Sequence, residues 1–411
     1  MSQVRSDMSV KEILDTWPQT LPVFRSHGFE QFADAKTVDT VGRFLKLDTL
    51  LKQKQFDTAT FIARLEEIIT EKDDSADISL THDKHAAGDV RVAGLLPCPV
   101  RIPITETFHA HAQEFEKSSG LKVSYQLEAA SVGAHWFANN IDTAKGIDSL
   151  PDIFLSAGFE MFFDKKAIGE WKRNKKFVDT TSPTVNTAFD SIQIKDPDGD
   201  YSIVAVVAAV FVIHKENYPD LAIPRTWGDI LKPEYEKKVA LPVSDFDLFN
   251  GMLLTIHKEF GDDGVRSLAR SMIANLHPAQ MVKAAKQQRT HKPFVTIMPY
   301  FFTKMVRNSA RSEVVWPEDG AIISPVFMLV KREKAELLKP LTDVLAGKEI
   351  GEILGINGLF PSLNPEVQND LPASAPWKWI GWDYIYQHDI SDLIAQTNQV
   401  FEAECQKEPL P

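Results

Sequence analysis

Eleven consecutive apolar residues, Ile203 to Ile213 (IVAVVAAVFVI), constrain this chain more than any other stretch. The run is well short of the roughly 20 residues that a membrane-spanning helix needs. Valine dominates it, and β-branched side chains crowd a helix but pack well on a pleated strand. No polar residue alternates with the apolar ones, so this strand must be covered on both faces.

From Val90 onward, short apolar runs alternate with helical patterns. VRVAGLL reads as a strand, TETFHAHAQEFEKSSG as a helix ending at Gly120, and LKVSYQLEA and PDIFLSA as further strands. After the valine-rich run come KKVALPVS, a helical stretch from Phe249, FVTIMPY and GAIISPVFMLVK. Strands alternating with helices predict α/β layers with largely parallel sheets.

Residues 1–70 follow a different rule. Ser9-Val10-Lys11-Glu12 fits a capping box, in which the serine hydroxyl takes an amide proton and the glutamate reaches back. Val10, Ile13, Leu14 and Trp17 fall at helical spacing until Pro18 stops the helix. A second helix is expected from Leu21-Pro22 to a Gly28 cap, a third over Val41 to Leu51, and a fourth from Asp57 carrying Phe61, Ile62, Leu65, Ile68 and Ile69 on one stripe. Residues 71–89 are polar and read as a linker, with His82 and His85 a weak candidate metal pair.

The net charge of −12 and the shortness of the basic runs argue against nucleic acid or an anionic membrane as a partner. The longest such run, Lys172 to Lys176, fits a solvated helix end. Two cysteines, Cys98 and Cys405, build no disulfide framework and no CxxC site. The opening residues lack the apolar core of an export signal, and with no apolar stretch long enough to span a bilayer the expected location is cytoplasmic.

Strand ends in the α/β region share one chemistry. Pro97-Cys98-Pro99 follows the first strand, Ser131-Val132-Gly133 with His135 the second, and Ser156-Ala157-Gly158 closes the third. Ser244-Asp245-Phe246-Asp247 and Pro299-Tyr300 follow two later ones. Ligands of open α/β sheets sit outside the carboxyl ends of strands, where small residues expose backbone amides and helix N-termini favour polar or negative groups.

The stretch from Ile223 to Tyr235 (IPRTWGDILKPEY), followed by KKVALP, resembles a signature of the extracellular solute-binding proteins of ABC importers. GAIISPV and YSIVAVVAAVFVIHKENYP resemble that family's two crossings between lobes. The resemblance covers roughly Val90 to Gln399 and is nearest to the iron- and small-anion-binding branch. It implies a two-lobed type II solute-binding-protein fold over 90–411, behind an N-terminal all-α module. Lobe 1 would take about 90–205 plus 320–411, and lobe 2 about 213–315. Ser9 to Phe29 resembles a small helical domain of unknown function found in anaerobic bacteria, which leaves protein docking as the expected role of residues 1–70.

The resemblance implies that two lobes close over a small polar, anionic or metal ligand. Cys98, Arg101, Ser131, Gly133, His135, Ser156 and Gly158 would line one wall, and Ser244, Asp245, Asp247 and Tyr300 the other. Each has a structural alternative. Asp247 can cap the following helix, Tyr300 can pack on a lobe, Cys98 can be a small buried hydrophobe, and Arg101 can form a surface salt bridge. Iron-binding members place two adjacent tyrosines near Tyr300; here the second is Phe301, which counts against a ferric ligand. The sequence names no cofactor. Two other functions stay open: an enzyme of cofactor-precursor synthesis using Cys98, His135 and Asp245, and a ligand-sensing interaction protein.

Overall fold

The computed structural model describes residues 4–26, 29–53, 88–129, 141, 143–165, 168–243, 246–275, 292–305 and 312–407, together with 58, 61, 62, 65 and 69. It divides into two units, Met1–Thr81 and His82–Pro411.

In the first unit the capping box forms as its residue types require. Glu12 N donates to Ser9 Oγ at 3.1 Å, and Ser9 N donates to the Glu12 carboxylate at 3.4 Å. Helix α1 (Val10–Thr16) buries Val10, Ile13 and Leu14, and α2 is Leu21–Ser26. The helix expected over Val41 to Leu51 starts later: a wide turn covers Val38–Gly42, and α3 runs Leu47–Gln53. Lys46 there pairs with Ser9 as an isolated bridge, which holds the chain extended before α3. Phe24, Phe29, Phe32 and Phe61 meet edge-on at the centre of this unit's core, where aromatic quadrupoles favour T-shaped contacts. Gly28, His82 and His85 lie outside the described residues.

The second unit is organised by two long buried strands. β1 (Val90–Leu96), β2 (Val123–Ala129) and β3 (Ile153–Ala157) pair in parallel. β4 (Ser202–His214) contains the apolar run, and β5 (Val239–Leu241), β6 (Met272–Asn275) and β7 (Val295–Pro299) form a second parallel block. β8 (Ser312–Val315) and β9 (Ala321–Val330) return, and β10 (Trp377–Lys378) pairs with β9. The order is β2-β1-β3-β9-β4-β7-β5-β6. Sheets expected to be largely parallel are thus two parallel blocks joined by the antiparallel β9–β4 pair. One lobe is built on β2-β1-β3 and the other on β7-β5-β6.

β4 is covered on both faces, as its composition demands. Val207, Ala209, Phe211 and Ile213 enter one core, and Val206, Ala208 and Val210 the other. A register shift between Ile203 and Ala205 lets Val204 and Ala205 share a side before the alternation resumes. Helices complete the layers. α4 (Cys98–Ser119) follows β1 and ends at Gly120, while α5 (Ile168–Arg173) ends in the first two residues of the basic run, Lys172 and Arg173. α6 (Phe246–Ser271) follows β5, and α7 (Ala335–Leu345) leads toward α8 (Trp382–Gln387) and α9 (Ile390–Lys407). α9 lies along α6, with Phe401 edge-on to Phe249 at 5.0 Å and Asn398 bonded to Asn250 at 3.0 Å.

Candidate functional site

Register places the strand ends. Leu96 of β1 is level with Ala129 of β2, and Ala157 at the end of β3 is level with Val326 of β9. Val326 pairs in turn with Ala205 of β4, while Pro299 at the end of β7 pairs with Ala209. β5 runs parallel to β7, so it points the same way. The carboxyl ends of both parallel blocks therefore face the crossing of β4 and β9. They are four residues apart along β4, a span of about 13 Å. That is the scale of a small solute.

Gly158 is the first residue past β3. Its N–H donates to Pro325 O at 3.0 Å, and its φ of +91° suits glycine alone. A methyl group there would lie 2.5 Å from Asp247 Oδ1. Asp247 stands in the first turn of α6, where its charge favours the positive end of the helix dipole. The Ser324 hydroxyl, from the middle of β9, donates to Asp247 O at 3.1 Å. Gly158 and Asp247, far apart in sequence, are thus in contact across the crossing.

The other predicted residues divide. Ser156 is fully buried within β3, its hydroxyl bonded to Ala157 O at 3.2 Å. Arg101 is half-buried in the first turn of α4, and Cys98 is that helix's first residue, its side chain outside the described set. Ser131, Gly133, His135, Ser244 and Asp245 also lie outside the described residues. Tyr300 opens the short helical turn Tyr300–Met305 after β7. Its ring meets Trp316 edge-on at 5.2 Å. Burial, with a smaller contribution from the Asp370 charge, pushes the phenol up from its ordinary value, so it is held protonated. Phe301 turns to the other side, stacking on Phe360 at 5.7 Å. Tyr300 and Phe301 pack against different core clusters, which keeps these two rings apart.

The signature segment is spent on structure. Thr226 and Asp229 form a capping box around Trp227–Ile230. Trp227 is fully buried, its indole N–H donating to Gly320 O at 2.9 Å and its ring edge-on to Phe211 of β4 at 4.8 Å. Tyr235 OH donates to Ala222 O. Although burial opposes it, hydrogen bonds from Lys232, Arg225 and Thr226 draw the Asp229 carboxyl down to about 2. Trp377 likewise packs, stacked on Phe189 at 5.0 Å. Lys172 and Lys175 of the basic run pair with Asp200, and Lys172 also with Asp198.

Sequence reasoning passed over Ser324, Phe360 and Lys304. Ser324 had a signal, as the lone hydroxyl in an otherwise apolar strand (AIISPVFMLV). Phe360 and Lys304 had none. Among the described residues no group of three or more His, Cys, Asp or Glu is placed to hold a metal, and no helix is long and apolar enough to cross a membrane. An open groove of about 570 Å³ beside Asn186, Pro365 and Leu371 includes none of the predicted ligand residues.

Residues 148–388 match the family described as bacterial extracellular solute-binding protein, and residues 5–62 match a domain of unknown function (DUF1858). No curated protein matches the chain in sequence. Among solved structures, the ferric binding protein from Campylobacter jejuni superposes with a TM-score of 0.53 at 13% identity, covering 77% of this chain and 99% of that one. The apo ferric ion-binding protein A of Pasteurella haemolytica gives 0.52 at 15%, covering 77% and 97%. The periplasmic binding protein AfuA from Actinobacillus pleuropneumoniae, with exogenous fructose-6-phosphate bound, gives 0.50 at 16%, covering 79% and 100%. At such identities these establish the type II periplasmic-binding fold and nothing about the ligand. The family match overturns the expected cytoplasmic location, because its members are extracellular. The polar opening that suggested it belongs to the helical module and carries no information about where the body works.

Proposed function

Since the chain belongs to the bacterial extracellular solute-binding protein family of ABC transporters, we propose that its two lobes close over a small polar or anionic solute rather than a ferric ion. The convergence of both blocks' strand ends on the β4–β9 crossing carries this reading. The choice of solute class is supported by Tyr300, held as a neutral phenol able to donate a hydrogen bond, and by Phe301, turned away into its stack. A solute that touches both walls only in the closed form stabilises that form by its differential affinity. In this reading Gly158, Asp247 and Tyr300 border the solute.

We assign residues 1–70 a protein-docking role, supported by Phe44, which leaves 81% of its surface exposed among the described residues. Thermal unfolding of the full chain against inorganic phosphate, citrate, a hexose phosphate and uncomplexed ferric ion tests the reading. A bound solute at a hundred times its Kd stabilises by about 2.7 kcal/mol. At least one anion is expected to raise the Tm, and Tyr300→Phe to weaken that solute about tenfold. A response to ferric ion alone, abolished by Tyr300→Phe, would overturn the choice of solute class.

A further inference from the structure

The lobes meet at a second place, on the outer edge of β4. β7 ends at Pro299 beside Ala209 of that edge, and three residues along the same edge Val206 N donates to Pro361 O at 3.0 Å. Leu363 N continues the pairing to Val204 O. Residues 353–363 belong to the lobe built on β2-β1-β3, where Gly358 lies against Val100 of α4. One edge of one strand thus brings the turn after β7 up to a segment of the opposite lobe.

Two side chains fill that junction. The Phe301 ring lies nearly parallel to Phe360, 14° between planes and 5.7 Å between centroids, and Phe360 is 4% exposed. Lys304 Nζ donates to Ile356 O at 2.9 Å and to Asn357 O at 3.0 Å. Those carbonyls end the helical turn Ile353–Asn357, and a helix cannot satisfy its own last carbonyls. A cation there also meets the negative end of the peptide dipoles. The lysine is supplied by the other lobe.

We propose that Phe301 and Lys304 are positioning residues that clasp the Tyr300 turn to the opposite lobe before any solute arrives. This rests on the solute-receptor reading above. With β4 and β9 continuous between the lobes, the clasp on the outer edge of β4 is separate from the contact at which Gly158 meets Asp247. A receptor fastened in this way holds Tyr300 in its binding position, so less ordering falls to the solute. Loosening the clasp divides the apparent Kd by the remaining competent fraction, so the solute binds more weakly.

Hydrogen exchange of the ligand-free full chain, read by mass spectrometry, tests the clasp without needing the solute. Lys304→Met and Phe301→Ala are each expected to speed exchange about tenfold in both 299–305 and 353–361, leaving β1–β3 unchanged. Lys304→Arg should restore protection in both segments, since it keeps the charge and the donors. Exchange that is unchanged, or faster only in the segment bearing the substitution, overturns the proposal. If Phe301→Ala loosens the whole body, the exposed Lys304→Met decides. Titration with inorganic phosphate and a hexose phosphate separates the two claims. Failure of the unaltered chain to bind any solute counts against the receptor reading and leaves the exchange result standing.

Discussion

The Ile223–Leu241 segment and the Tyr300–Met305 turn flank the same parallel block, yet they use their residues differently. In the first, every distinctive side chain is spent internally: Trp227 on Gly320 and Phe211, Thr226 and Asp229 on each other, Tyr235 on Ala222. In the second, Tyr300 faces one side while Phe301 and Lys304 reach the opposite lobe. The most recognisable words in this sequence are therefore packing words. The residues that set the relation between the lobes carry no recognisable pattern.

Substitutions can break that contrast. The largest effect is expected from Trp227→Ala, which removes a fully buried indole and strands Gly320 O. It should destabilise by about 3–5 kcal/mol in urea unfolding. A loss under 1 kcal/mol would mean that the signature is not structural. Gly158→Ala should come next, at about 1–3 kcal/mol, because it combines a left-handed backbone with the Asp247 carboxylate. Gly120→Ala is the control, since its φ is +74° but nothing lies within 4 Å of the added methyl. The excess at Gly158 reads the cross-lobe contact, and equal losses would show that the contact contributes nothing.

Asp229→Asn should cost about 1 kcal/mol at neutral pH, as a lost cap does. Its carboxyl is depressed in the fold, so its contribution is complete above the ordinary value of 3.8 and vanishes as pH falls toward about 2. Acid titration of stability should be flatter in the variant across that window. Two parallel curves would remove Asp229 from the account. The smallest expected effect is that of Phe301→Tyr. The ring should keep its stack on Phe360 and stability should change by less than about 0.5 kcal/mol. No iron–phenolate absorption should appear on adding ferric ion, because residue 301 faces away from Tyr300. A coloured complex would show that the two rings can share a ligand.

Fold class was readable because it rests on local rules: β-branched runs, capping boxes, and glycines where helices end. The candidate site was readable only as a row of strand ends. That Ser156 is fully buried while Gly158 touches Asp247 depends on which way β3 turns its side chains at the crossing. The expected helix over Val41 to Leu51 failed where the pairing of Ser9 with Lys46 overrode helical periodicity. The cytoplasmic reading took the helical module's polar opening as information about the body.

By itself, the sequence determined that a two-sided apolar strand would cross a layered α/β body behind a small helical unit, because burial and backbone preference act on near neighbours in the chain. Only the tertiary structure decided that Phe301 meets Phe360, that Lys304 completes a helix end in the opposite lobe, and that Asp247 rests against Gly158. Those contacts join residues brought together by strand register, and register is a property of the assembled sheet rather than of any one segment.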